Sequence, residues 1–212
     1  MEWLANISIQ WVIVIVIGLA ALRVGIIYLG RSQAIPEGAA SSAGEFVESA
    51  LIAIVLVFLI IRPFIVQAFY IPSGSMHPTL LEEDHILVNK FIYRFRDPRH
   101  GEVIVFKAPP QASPDGTEKD FIKRVIGLPG DVIMVKDGKT YVNNKPLDEP
   151  YIQEPPLYEY GPERVPEGKL FVMGDNRNDS NDSHQWGTLD RSRVLGKAML
   201  IFWPLTRIRL IR

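Results

Sequence analysis

Two serines separated by one glycine and bracketed by prolines, Pro72-Ser73-Gly74-Ser75-Met76-His77-Pro78, directly follow a long apolar block. Such a turn is stiff and can present a hydroxyl, but Ser-Gly turns also simply carry a chain away from a helix. Residue type alone leaves both readings open. Serine becomes a nucleophile only when a base takes its proton. His77 would share a side with Ser75 in an extended turn, yet no aspartate is fixed by spacing as its triad partner. Neither Gly-x-Ser-x-Gly nor Ser-x-x-Lys occurs, so α/β-hydrolases and penicillin-binding enzymes find no support.

The second candidate is Asp120-Phe121-Ile122-Lys123-Arg124-Val125-Ile126-Gly127. In a strand, alternation places Lys123 with Phe121 and Val125, and Arg124 with Ile122 and Ile126. One of the two cations therefore sits among apolar neighbours. The bland alternative keeps both heads in water above apolar stems. For chemistry Lys123 is the better choice, because burial disfavours the ammonium and frees its lone pair. Arginine cannot be deprotonated in this way.

The third is Gly174-Asp175-Asn176-Arg177-Asn178-Asp179-Ser180-Asn181-Asp182-Ser183-His184, following the apolar run Leu170-Phe171-Val172-Met173. It lacks the glycine of a calcium loop. Asn, Asp and Ser side chains often bond their own backbone in turns. A polar turn and a scaffold for catalytic groups are equally compatible with it.

Composition excludes several classes. The chain has 23 Lys+Arg against 24 Asp+Glu, a net charge of −1, which argues against a general nucleic-acid binder. There is no cysteine, hence no disulfide, cysteine nucleophile or thiolate metal site. The four histidines show no His-Glu-x-x-His spacing.

The elements that must position these groups begin with two apolar segments. Trp3 to Leu22 carries no charge and the block extends to Gly30. Roughly 20 such residues cross a hydrocarbon core of about 30 Å. A cleaved signal peptide would need a basic start, and nothing basic precedes Arg23. Residues 1–30 are therefore expected to form a first span and 31–48, rich in Ser, Ala and Gly, a short loop. Residues 49–72 are expected to form a second span and its link, with Arg62-Pro63 near the membrane helix end. Arg23 and Arg31 flank the loop, which the positive-inside rule puts in the cytoplasm, with both chain ends outside.

Residues 73–212 form the polar remainder, large enough for its own core. Short β-type runs dominate it: 85–89, 102–107, 121–127, 132–136, 140–143, 169–173 and 195–203. Asp137-Gly138 predicts a type I′ hairpin turn. The Pro-rich stretches 108–115 and 149–166 read as loops. The expectation is a mainly β, antiparallel catalytic domain behind one or two transmembrane helices, with 131–168 as a smaller β insertion.

Taken together, Ile71–Leu80, Arg99–Phe106, Phe121–Asp131 and Gly174–His184, in this order behind an apolar span, resemble type I signal peptidase, the bacterial leader peptidase family. The resemblance implies a Ser–Lys endopeptidase with Ser75 as nucleophile and Lys123 as general base, needing neither cofactor nor metal. It implies that the Ser75 N–H and the Ser73 hydroxyl form the oxyanion hole. Ser180 would bond and orient Lys123, and Asp175, Arg177 and Asp182 would support that scaffold. Phe69, Ile71, Met76 and Ile122 match positions lining shallow substrate pockets. The implied partners are signal peptides of exported preproteins, cut after a small-x-small motif, and the lipid bilayer, with no nucleic acid. The implied place is the cell membrane, with the catalytic domain extracytoplasmic. Two departures stand out. His184 occupies a position where the family often has the arginine that pairs with the aspartate at Asp182, and Asn178-Asp179 reverses a common order. A self-cleaving repressor-type Ser–Lys protease would need a DNA-binding half in place of the apolar blocks. A membrane-anchored binding module would not require both Ser75 and Lys123.

Overall fold

A computed structural model describes residues 9–32, 36–61, 66–113, 117 and 119–212. They divide into two units, Met1–Val66 and Gln67–Arg212.

In the first unit, helix α1 (Ile9–Arg31) is followed by α2 (Glu37–Val55), which continues as a π-helical turn, Leu56–Ile61. Gln10–Arg31 and Ser41–Phe58, with mean hydropathies of 2.7 and 1.7, are long and apolar enough to cross a membrane. Trp11, Ile17, Tyr28 and Phe46 lie bare on their outer faces, as suits a lipid-facing surface. Arg23 and Glu48 join the helices through a 2.5 Å ion pair. The expected loop over 31–48 is thus mostly helix, and the second apolar helix starts earlier than Ser49. Ala39, Ala40, Ala43 and Glu45 favour helix. The serines that read as loop signals fold back onto it: Ser42 Oγ donates to the Gly38 carbonyl (3.0 Å) and Ser41 Oγ to Glu45 (3.2 Å). Arg62-Pro63 lies outside the described residues. The far end of the apolar block is not helical at all: Val66–Tyr70 is strand β1.

The second unit is built on an antiparallel sheet ordered β1-β2-β11-β3-β4-β9-β10, with β12 added to β11. These strands are β2 (His85–Asn89), β3 (Val103–Lys107), β4 (Asp120–Gly127), β9 (Lys169–Met173), β10 (Leu189–Asp190), β11 (Val194–Trp203) and β12 (Arg209–Leu210). A one-turn helix, α3 (Ser183–Trp186), precedes β10. A smaller sheet, β7-β6-β5-β8, comprises β5 (Val132–Lys136), β6 (Lys139–Val142), β7 (Lys145–Pro146) and β8 (Tyr160–Arg164), and lies within 131–168. Asp137 and Gly138 have φ of 51° and 71°, the positive pair that a type I′ turn requires.

Strand β8 lies inside the Pro-rich stretch expected to be loop. It is an edge strand whose register slips between Ile133 and Val135 of β5, opposite Gly161-Pro162, so Pro162 interrupts little pairing. One apolar cluster (Ile71, Met76, Leu80, Ile86, Val88, Val105, Ile201) underlies the main sheet beneath the Ser-Gly-Ser turn. A second (Ile126, Ile133, Val135, Phe171, Met173) joins the two sheets. Strand β4 lies between β3 and β9. Lys123 and Arg124 therefore stand in the middle of the sheet.

Candidate active site

The Ser-Gly-Ser segment is fixed from below. Ser73 is extended (φ −144°, ψ 155°), Gly74–Met76 makes a single 3-10 turn, and Met76 is wholly buried in the core. This holds Ser75 at the surface above β4. There Lys123 Nζ lies 2.7 Å from Ser75 Oγ.

Lys123 is only 4% exposed, and its ammonium has no carboxylate in contact among the described residues. Phe121 from the same face of β4 places its ring centroid 5.6 Å from Nζ. Burial pulls the lysine pKa down to about 8, against the weaker opposing pull of the Asp182 and Asp175 charges. Roughly a tenth of Lys123 is therefore neutral at pH 7, far more than of an ordinary lysine.

Arg124, one residue on, is equally buried but differently served. Its Nε and Nη2 form a fork on Asp175 at 2.8 and 2.6 Å, Nη1 donates to the Gly101 and Arg212 carbonyls, and Tyr151 stacks on the guanidinium at 4.0 Å. The sequence reading buried one of the two cations; the structure buries both. One is fully paired and structural, the other unpaired and beside a hydroxyl.

The Gly174–Asp182 segment closes the other side. The Asn176 amide donates to the Ser75 carbonyl (3.1 Å) and Asn176 Nδ2 to the Gly74 carbonyl (3.2 Å), clamping the serine turn to the end of β9. Arg177 forks onto Glu149 at 3.0 and 2.5 Å and reaches Thr140, tying this loop to the small sheet. Asp182 accepts from the Gly174 amide (2.8 Å) and from His184 Nδ1 (2.7 Å), and the His184 ring stacks on Tyr158 at 4.1 Å. Histidine thus does reach the aspartate here.

Several expected site residues fall elsewhere. Ser180 Oγ is buried and has no hydrogen-bond partner, so the expected bond to Lys123 is not formed; its side chain packs beside Gly174. His77 pairs with Glu82 at 2.6 Å. A cleft of about 450 Å³ opens beside Ser75 and Lys123, lined also by Pro72, Ser73, Phe121, Ile122, Asp179 and Asn181. Of the four pocket candidates only Ile122 lines it. Ile71 and Met76 are core residues under the turn, and Phe69 packs partly buried against that core. The alternation that aims Ile71 and Met76 inward cannot be read where strand gives way to a turn. Sequence reasoning missed Asn176, Asn181 and Glu149. The density of amides in Gly174–His184 was the only signal for the first two, and none pointed to Glu149.

Residues 43–203 match the family described as signal peptidase, peptidase S26. A probable signal peptidase I-2 of Synechocystis sp. is 47% identical over 161 residues, covering 76% of this chain and 74% of that protein. The signal peptidase I of Leptolyngbya laminosa is 48% identical over 157 residues, 73% and 77% of the two chains. That of Bacillus licheniformis is 36% identical over 182 residues, 80% and 93% of the two.

Proposed function

Because the chain belongs to the signal peptidase family, peptidase S26, and is a protease of that kind, we propose that it is a membrane-bound serine endopeptidase that removes N-terminal signal peptides from exported preproteins. The observation that carries the reading is the 2.7 Å approach of a buried lysine to Ser75 Oγ.

Neutral Lys123 takes the Ser75 proton as Oγ attacks the scissile carbonyl. The oxyanion that forms is received by the Ser75 N–H, which in the first turn of its 3-10 helix has no intrahelical acceptor, and by the Ser73 hydroxyl. Such donors are typically worth about 3 kcal/mol each. The lysine ammonium then gives its proton to the leaving amine, the C–N bond breaks, and an acyl ester remains on Ser75. Lys123, neutral again, takes a proton from water as its oxygen attacks the ester. The acyl C–Oγ bond then breaks, the lysine ammonium returns that proton to Ser75 Oγ, and the new carboxyl end is released. Asp175, Arg177 and Asp182 hold the loop on which Asn176 steadies the serine turn.

The two apolar helices anchor the chain in the cell membrane, with Ser73–Arg212 outside the cytoplasm and the α1–α2 connection inside. Phe121, Ile122 and Pro72 are among the residues lining the cleft beside Ser75, and such apolar walls favour a small residue before the cut.

Purified full-length protein should convert a preprotein to its mature form, with the cut mapped by mass spectrometry after a small-x-small motif. Ser75→Ala and Lys123→Arg should both be inactive yet folded, since guanidinium is no base. Turnover by Lys123→Arg overturns the mechanism. In this cysteine-free chain, an impermeant thiol reagent applied to intact cells should label Leu157→Cys and spare Ser32→Cys; labelling of the latter overturns the topology.

A further inference from the structure

The wall of the cleft beside Ser75 carries charged groups that the proposed reaction does not use. Besides Lys123 they are Lys119, Asp120 and Asp179. Asp120 pairs with Lys107 at 2.9 Å, and Lys119 has an interaction of its own. The Asp179 carboxylate differs: among the described residues no cation lies against it and no donor bonds to it. It stands at the cleft rim, exposed to water.

The turn around it puts the carboxylate there. Arg177 is buried and forked on Glu149, which fixes the chain on one side. Asn178 turns to the strap Pro155-Pro156-Leu157, which its two prolines stiffen. Its Oδ1 accepts from the Leu157 amide at 2.8 Å and its Nδ2 donates to the Pro155 carbonyl at 3.0 Å. That pair of bonds needs an acceptor and a donor on one side chain, which an amide has and a carboxylate lacks. The Asp179 amide donates to the Asn176 carbonyl at 3.1 Å, closing a tight turn, and the buried Ser180 follows. With 177, 178 and 180 each turned onto protein, position 179 faces the cleft. The charges that act on the Lys123 proton are those of Asp182 and Asp175. Asp179 is therefore placed to act on what enters the cleft, not on the base.

We propose that Asp179 is a specificity-determining residue, whose carboxylate selects preproteins by charge beside the cut, favouring Lys or Arg and disfavouring Asp or Glu. This rests on the peptidase reading above. A small-x-small motif leaves its middle position and the first two residues after the cut free to carry a charge, and the selected side chain is at one of these. Complementary charges across a binding surface set specificity, and like charges brought together there oppose binding. Each exposed pair contributes modestly, so attraction to Lys and repulsion of Glu together should separate the two by about tenfold in kcat/KM.

The test gives the full-length protein in detergent soluble peptides in which each of those three positions in turn is Lys, Gln or Glu, and reads kcat/KM. At one position at least the order should be Lys, then Gln, then Glu. The spread should shrink from about 0.1 to about 1 M salt, as the Debye length falls from about 10 to about 3 Å. Asp179→Asn should bring the Lys to Glu ratio at that position near one, and Asp179→Glu should keep it. Asn178→Asp combined with Asp179→Asn conserves the net charge but moves the carboxylate to the strap, and should lose the preference as well. Equal rates on Lys and Glu peptides, or a preference that survives Asp179→Asn, overturn the proposal. A preference for Glu gives the field of the cleft to Lys119 and overturns it too. Peptides left uncut by the wild type whatever their charge overturn the peptidase reading beneath it.

Discussion

The backbone of Gly174 passes so close to Ser75 that a Cβ at 174 would overlap the Ser75 carbonyl oxygen and the Ser180 side chain. The end of β9 and the serine turn are thus packed backbone to backbone, and the Asn176 bonds to Gly74 and Ser75 depend on that closeness. Gly174→Ala must push the serine turn away from Lys123. Overpacking of this kind costs about 1–3 kcal/mol of stability, and a displacement near 1 Å at reacting groups can cost about 10² in turnover. Peptide cleavage should fall by that order with a smaller change in KM. Ser180→Ala added to Gly174→Ala should restore little, because the carbonyl oxygen still obstructs; full recovery would show that the side-chain clash alone mattered.

A second expectation concerns the buried pair under the site. Arg124 and Asp175 are 2% and 0% exposed and lie 2.6 Å apart. Removing one partner of such a pair strands a charge and typically costs about 3–5 kcal/mol. Asp175→Asn should therefore lower the melting temperature of the purified protein markedly. Asp175→Leu combined with Arg124→Met should be less harmful than either change alone. Thr79 Oγ1 also donates to Asp175, and a melting temperature untouched by Asp175→Asn would mean that this contact and the Gly101 and Arg212 carbonyls on Arg124 suffice.

The strands that hold the site were legible because each is a short apolar alternation closed by turn residues; His85–Asn89, Val132–Lys136 and Lys169–Met173 run where the pattern places them. Lys123 was preferred to Arg124 because, of the two cations, only lysine can lose its proton, whereas Ser75 took its role from the resemblance, residue type alone leaving a plain turn equally open. The errors have physical causes. Ser and Gly in Glu37–Glu48 looked like loop because serine hydroxyls compete for backbone, yet here they bond within the helix. Pro162 looked incompatible with a strand but sits on an edge. Val66–Tyr70 carries no charge and continues the apolar block, and its pairing beside β2 makes it a strand. Ser180 was given a bond to Lys123 by resemblance, and spacing along the chain could not say that its hydroxyl would face Gly174 instead.

A third expectation concerns selectivity at the cleft. Ile122 is the one pocket candidate that lines the space beside Ser75 and Lys123. Its truncation enlarges the wall without touching either reacting group. Ile122→Ala should let residues larger than alanine precede the cut, read as new cleavage sites in a peptide library by mass spectrometry. One methylene group in an apolar pocket changes selectivity by roughly 10–200-fold. An unchanged site profile would place the selective wall elsewhere in the cleft.

The last expectation follows from the proton on Lys123. Burial is the largest influence on this group and lowers its pKa to about 8, the Asp182 and Asp175 charges pulling weakly the other way. The base works only when neutral, so kcat/KM should rise with pH, bend near 8 and level off above it. Stability carries the same signature. The unfolded chain holds its lysine proton up to about 10.4, so between the two values it binds more protons than the folded one. On that account stability should climb as pH rises from about 8 to 10.4, and should lose this contribution as pH falls through 8. Lys123→Met fills the same space without a charge to bury. It should be inactive, melt higher than the wild type at pH 7, and lack that part of the pH slope. Equal melting temperatures for the two proteins at pH 7 and pH 10 would show that burial does not depress the lysine, and the bend in kcat/KM would then belong to another group.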